Sequence, residues 1–127
     1  TVPGSHKGPL YSHWKDGAFT GAIDGDPVAV FEREAVAHTG QAGGACFMHS
    51  RVVHGSTENR SAAPRTLFIT EIAAADARPL AGNAIPSRHE GMILAGAETH
   101  KVRSVAYEME MPVVPKAGTF FDQQAAG

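Results

Sequence analysis

The sequence predicts an all-β fold, and three observations support that prediction. Fourteen glycines and eight prolines divide the 127 residues into short pieces, which is typical of strands joined by turns. Residues 65–72 read RTLFITEI, which is apolar on both faces and indicates a central strand. Residues 102–111 read VRSVAYEMEM and alternate in the manner of a half-buried strand. The length suits a single domain with a real core.

Shorter stretches supply the other predicted elements. Residues 27–33, PVAVFER, are β-branched and aromatic, and residues 43–50, GGACFMHS, follow a glycine-rich turn, so both are strand candidates. Residues 118–122, GTFFD, are a candidate for a last short strand. Residues 1–27 are long and strand-poor, which predicts that they serve a site or pack against another segment.

Composition and charge exclude several classes of protein. The net charge of −2 leaves no basic footprint, so nucleic acid is not expected as a partner. No run of 18 apolar residues occurs, so the sequence predicts no membrane span. The single cysteine, Cys46, cannot form an internal disulfide and is expected to be a small buried side chain. A cytoplasmic location is the default expectation for such a chain.

The common catalytic motifs are absent from this chain. Seven histidines are many for the length, but no pair has metalloprotease spacing and one cysteine excludes a zinc finger. No G-x-S-x-G step provides a nucleophile elbow. The segment PGSHKG, residues 3–8, lacks the spacing of a phosphate-binding loop and a preceding strand.

One segment, HSRVVHGSTENRSAAPR at residues 49–65, combines residues suited to binding. His54 ends an apolar stretch and Arg65 begins the next strand candidate, so an antiparallel pair would bring the two close together. A neutral imidazole near a carboxylate-binding arginine suits a metal that is chelated by an organic acid. On spacing alone, a hydrogen-bonded strand histidine and a surface arginine are the favoured interpretation.

Several segments in order resemble the phytanoyl-CoA dioxygenase-like family of iron(II)- and 2-oxoglutarate-dependent oxygenases. VPGSHKGPL at residues 2–10 is similar to a family segment that follows the first metal ligands. HGS at residues 54–56, N-x-S at residues 59–61 and an arginine eleven residues past His54 resemble its distal-histidine motif. AADARPL and GTFFDQQ also resemble family segments. The resemblance implies the C-terminal part of a double-stranded β-helix, a cupin-like jelly roll with long loops.

The resemblance assigns roles residue by residue. His54 matches the distal iron ligand, and Arg65 matches the arginine that pairs with the distal carboxylate of 2-oxoglutarate. Ser56 matches a serine that helps to hold the same cosubstrate. His49 receives no transferable role and is expected to be structural. Asn59 and Ser61 are expected to shape the turn, because both residue types readily bond nearby backbone. Ser5, His6 and Lys7 either border the substrate pocket or form a plain turn.

The sequence departs from the family pattern at the metal site. The iron site of such oxygenases is a facial triad of two histidines and one carboxylate. In the family an H-x-D or H-x-E step supplies the other two ligands, and this sequence contains neither. HWKD at residues 13–16 has one residue too many, and HE at residues 89–90 has one too few. We therefore expect the chain to be a fragment that carries one metal ligand of three.

The sequence therefore predicts part of a dioxygenase that uses iron(II), 2-oxoglutarate and O2 to hydroxylate a small molecule. The alternative is a non-enzymatic β-sandwich or cupin-like module for binding or oligomerisation. Because strands of an incomplete β-helix leave edges and apolar faces uncovered, a homodimer or larger homo-oligomer is expected.

Overall fold

A computed structural model describes residues 1–83 and 86–113 of the chain. Its regular elements are a 3₁₀ helix over Ser5–Lys7, strand β1 over Trp14–Lys15, strand β2 over Ala18–Phe19 and helix α1 over Pro27–Glu34. The remaining described residues form turns and irregular segments. The predicted strand at residues 118–122 lies outside the described residues. No helix in the described part is long and apolar enough to cross a membrane.

Strands β1 and β2 form a tight antiparallel hairpin in which Trp14 pairs with Phe19. Asp16 and Gly17 connect them, both with positive φ, at 49° and 79°. Two consecutive residues of positive φ match the twist of a hairpin, and an Asp-Gly pair accommodates them readily. The Trp14 and Phe19 rings meet edge to face with centroids 5.6 Å apart. This hairpin lies in the stretch that the sequence marked as strand-poor.

The predicted strand at residues 27–33 is wrong, because Pro27–Glu34 is an α-helix. Asp26 occupies the N-cap position and Pro27 follows it. Proline suits the first turn of a helix, where its missing N–H would have no partner and its fixed φ is already helical. The β-branched and aromatic content of the segment favoured a strand, but this start signal was the stronger indicator.

The first two residues join segments that are distant in sequence. The Val36 backbone N–H donates to the Thr1 carbonyl at 2.7 Å, and the Val2 N–H donates to the Val53 carbonyl at 2.9 Å. Val2 is 7% exposed and is the only buried apolar residue of the described part of the chain. The start of the chain therefore lies between the residues that follow α1 and the segment that ends at His54.

The predicted strands at residues 43–50, 65–72 and 102–111 are not paired as strands among the described residues. Their apolar side chains are exposed, including Phe47 at 89% and Phe68 at 90%. Cys46, expected to be buried, is also exposed because it lies in the first of these segments. A strand is defined by a ladder of backbone hydrogen bonds to a partner strand, and these segments form no such ladder among the described residues. The double-stranded β-helix therefore stays a prediction.

A bidentate ion pair connects the segment 102–111 to the turn that contains Asp76. Arg103 donates from Nη2 to Oδ1 of Asp76 at 2.6 Å and from Nε to Oδ2 at 3.2 Å. The Arg103 backbone N–H also donates to the Asp76 carbonyl at 2.8 Å. The bond from Arg103 lowers the pKa of Asp76 below its ordinary value. This junction borders an apolar groove of about 640 Å³ that includes Leu80 and Val105.

Candidate functional site

The loop after His54 is organised by Asn59, as its sequence predicted. The Asn59 side-chain oxygen accepts the backbone N–H of Ser61 at 3.1 Å and its hydroxyl at 2.8 Å. The Asn59 amide nitrogen donates to the Ala63 carbonyl at 2.9 Å, and the Ser61 hydroxyl lies 3.1 Å from the same carbonyl. The expectation that Asn59 and Ser61 shape this turn is confirmed. The turn reverses the chain and returns Arg65 towards residues 56 and 57.

Arg65 and Ser56, which were assigned to one cosubstrate, are in direct contact. Arg65 Nη2 donates to the Ser56 hydroxyl oxygen at 3.1 Å, while Nη1 donates to the Thr57 carbonyl at 2.8 Å. Because the Ser56 oxygen accepts from the guanidinium, its own proton is available to another acceptor. An exposed guanidinium beside a hydroxyl donor is a suitable pair for a carboxylate.

The His54 ring is held in a tautomer that suits a metal ligand. Its Nδ1 atom lies 2.7 Å from the Val52 carbonyl oxygen. A carbonyl can only accept, so Nδ1 carries the proton, and in the neutral ring Nε2 keeps its lone pair. Metal-binding histidines commonly donate their second ring N–H to a carbonyl or carboxylate, which fixes the ring orientation. The His54 side chain is exposed, so Nε2 can be reached from outside.

The PGSHKG segment lies directly against the residues that lead to His54. The Ser5 hydroxyl donates to the Val2 carbonyl and accepts the Val53 backbone N–H, both at 2.8 Å. Arg51 Nη2 donates to the Gly8 carbonyl at 2.7 Å. The side chain of Ser5 therefore links two segments that are 48 residues apart in the chain. The sequence left open whether Ser5 borders the pocket or lies in a plain turn, and its bond to Val53 was not predicted.

The described residues do not supply a metal-binding triad. Residues 1–83 and 86–113 contain no group of three or more His, Cys, Asp or Glu side chains that could hold a metal ion. His54 fits iron as one ligand, which it would supply through its Nε2 atom.

Comparison with known proteins identifies the class. The family model for phytanoyl-CoA dioxygenase matches residues 1–67, a range that contains His54, Ser56 and Arg65. The chain belongs to the phytanoyl-CoA dioxygenase family. It is 34% identical over 115 residues to a protein of Stutzerimonas stutzeri described as a "Probable alpha-ketoglutarate-dependent hypophosphite dioxygenase". That alignment covers 87% of this chain and 40% of the relative, and no solved structure matches the chain.

Proposed function

We propose that this chain carries the distal half of the active site of an iron(II)- and 2-oxoglutarate-dependent dioxygenase. The observation that supports the proposal most is the hydrogen bond between Arg65 and Ser56, two residues to which the family resemblance gives one ligand. His54 precedes Ser56 by two residues and presents a free Nε2 atom. One short stretch of chain thus offers a metal ligand next to a carboxylate-binding pair.

Each residue has a distinct task in this proposal. Arg65 forms the ion pair with the distal carboxylate of 2-oxoglutarate, and Ser56 adds a hydrogen bond from its hydroxyl proton. Asn59 and Ser61 hold the turn that keeps Arg65 at this distance from Ser56. His54 binds iron through Nε2, while Val52 fixes the ring through Nδ1. Iron, when bound, supplies the chemistry that couples decarboxylation of the 2-oxo acid to oxidation of the substrate.

The proposed fold is the double-stranded β-helix of the family, and the proposed substrate is a small molecule. In this arrangement residues 43–50, 65–72 and 102–111 are strands whose partners cover the apolar faces that are exposed here. We also propose that the isolated chain covers these faces by forming a homo-oligomer.

Turnover of 2-oxoglutarate by separate variants of His54 and Arg65 tests the proposal. In a preparation that turns over 2-oxoglutarate, His54→Ala should abolish turnover and Arg65→Ala should raise the apparent KM for 2-oxoglutarate. Arg60→Ala is the matched control, because Arg60 lies in the same loop and pairs with Glu58, at 3.6 Å. If neither His54→Ala nor Arg65→Ala changed 2-oxoglutarate turnover, these two residues would not belong to the active site and the proposal would be wrong.

A further inference from the structure

A second group of polar side chains lies on the other side of His54 along the chain. The imidazole rings of His6 and His49 have centroids 5.4 Å apart. Arg51 reaches the same place, because its Nη2 atom donates to the carbonyl of Gly8, two residues beyond His6. These three residues, which we call the His6–Arg51 cluster, come together because residues 2–8 lie against residues 51–53.

The tautomer of His49 makes this cluster a donor of hydrogen bonds rather than a set of metal ligands. The Arg51 backbone N–H donates to His49 Nδ1 at 3.1 Å, so Nδ1 holds the lone pair and Nε2 carries the proton. His54, five residues further on, has the opposite arrangement and keeps its lone pair on Nε2. A metal needs a lone pair, whereas an anion needs an N–H donor. The hydrogen bond from the Arg51 backbone N–H therefore leaves His49 with an Nε2–H donor that suits an anion.

Arg51 and His6 support the same conclusion. None of the salt bridges among residues 1–83 and 86–113 includes Arg51, so no carboxylate there neutralises its charge. Its bond to Gly8 uses Nη2, and we infer that the donors on Nε and Nη1 serve a ligand. His6 Nδ1 is buried without a hydrogen-bond partner in the described part, and we infer that Nε2 is the ring nitrogen that faces the ligand.

We propose that His6, His49 and Arg51 form a binding site for a small oxyanion, separate from the pair formed by Arg65 and Ser56. The guanidinium supplies charge and planar donors, and His49 Nε2–H supplies a further donor. The two sites flank His54 in sequence, one ending at Arg51 and the other starting at Ser56. The oxyanion is then the charged group of the substrate that is oxidised, an assignment that rests on the proposed function.

Inorganic phosphate is the probe for this site. We would titrate it into the metal-free 127-residue chain and follow the histidine ring nitrogens by NMR, with calorimetry for affinity. The rings of His6 and His49 should shift, and that of His54 should not. Arg51→Gln should weaken phosphate binding at least about tenfold, because a charge-assisted pair is lost. Arg51→Lys, which keeps the charge without the planar fork, should give an intermediate affinity.

Matched variants separate binding from folding. His49→Asn keeps an acceptor for the Arg51 N–H and removes the Nε2–H donor, so it should weaken binding about threefold to tenfold with an unchanged amide spectrum. Arg33→Gln and His100→Asn change a cation and a histidine outside the cluster and should leave binding unchanged. An equal affinity in Arg51→Gln, or one-for-one displacement of phosphate by 2-oxoglutarate, would overturn the proposal. Because the titration uses no iron, its result is independent of whether the oxygenase function is correct.

Discussion

At the scale of the residue, two histidines five positions apart have opposite hydrogen-bonding roles. His54 Nδ1 donates to the Val52 carbonyl, and His49 Nδ1 accepts the Arg51 N–H. The sequence does not tell which ring nitrogen of a histidine carries the proton, because hydrogen bonds to nearby groups decide between the two tautomers. The family motif predicts that His54 is the metal ligand, but it assigns His49 no role. Only the positions of the Val52 carbonyl and the Arg51 N–H distinguish the two rings.

Removal of the Arg65 guanidinium should mainly weaken binding of 2-oxoglutarate. Arg65→Ala should raise the apparent KM for 2-oxoglutarate roughly 10- to 100-fold, the range expected for a hydrogen bond to a charged group. Iron affinity should change far less, because Arg65 bonds Ser56 and Thr57 and makes no bond to His54. Steady-state kinetics with varied 2-oxoglutarate provide the measurement, with Arg60→Ala as control. An unchanged 2-oxoglutarate dependence would remove Arg65 from the site.

At the scale of the element, the turn of residues 59–63 was predictable and helix α1 was misread. Asn and Ser bond local backbone wherever a turn permits, so their role follows from their chemistry. Residues 27–34 contain β-branched and aromatic side chains together with an Asp-Pro start, and the start signal decided the outcome. The predicted strands could not be judged from local pattern, because a strand depends on a partner segment.

The Asn59 side chain should protect the backbone amide of Ser61 from hydrogen exchange. Asn59→Ala removes the acceptor of the Ser61 N–H, so hydrogen exchange at Ser61 should accelerate. Asn59→Asp keeps that acceptor and loses only the donor to the Ala63 carbonyl, so Ser61 should stay protected. Exchange rates measured by NMR for the two variants provide the comparison. Equal rates in both would mean that the backbone, and not Asn59, forms the turn.

The ion pair between Asp76 and Arg103 should loosen only in acid. The bond from Arg103 places the folded-state pKa of Asp76 below the unfolded value near 3.8. The stabilisation is therefore complete above the unfolded value and is lost as the pH falls through the lower folded value. The Nε signal of Arg103 should change below about pH 4. Asp76→Asn should abolish this pH dependence, and a transition centred well above pH 4 would contradict the assignment.

At the scale of the whole molecule, apolar exposure predicts self-association. Leu67, Phe68 and Ile69 are 75%, 90% and 71% exposed, and they are consecutive. Large adjacent apolar side chains that remain in contact with water favour association with another surface. We expect a homodimer or larger assembly in solution, with an interface above about 1,000 Å². Sedimentation at micromolar concentration should show a species heavier than the 13.3 kDa chain.

A matched pair of charge substitutions separates the apolar segment from general charge effects. Phe68→Asp should weaken the association, because a carboxylate in an apolar interface loses its hydration. Ala97→Asp adds the same charge at an exposed position outside the predicted strands and should have little effect. A monodisperse 13.3 kDa species with cooperative unfolding would instead show that the chain closes its own core.

Anaerobic titration with iron(II) tests whether His54 is an iron ligand of this chain. With one imidazole in place of a triad, binding should be weak, because water fills the other positions. Among the seven histidines, the His54 ring should broaden first in the NMR spectrum, and His54→Ala should remove the effect while His100→Ala does not. Tight stoichiometric iron binding that survives in His54→Ala would contradict the account.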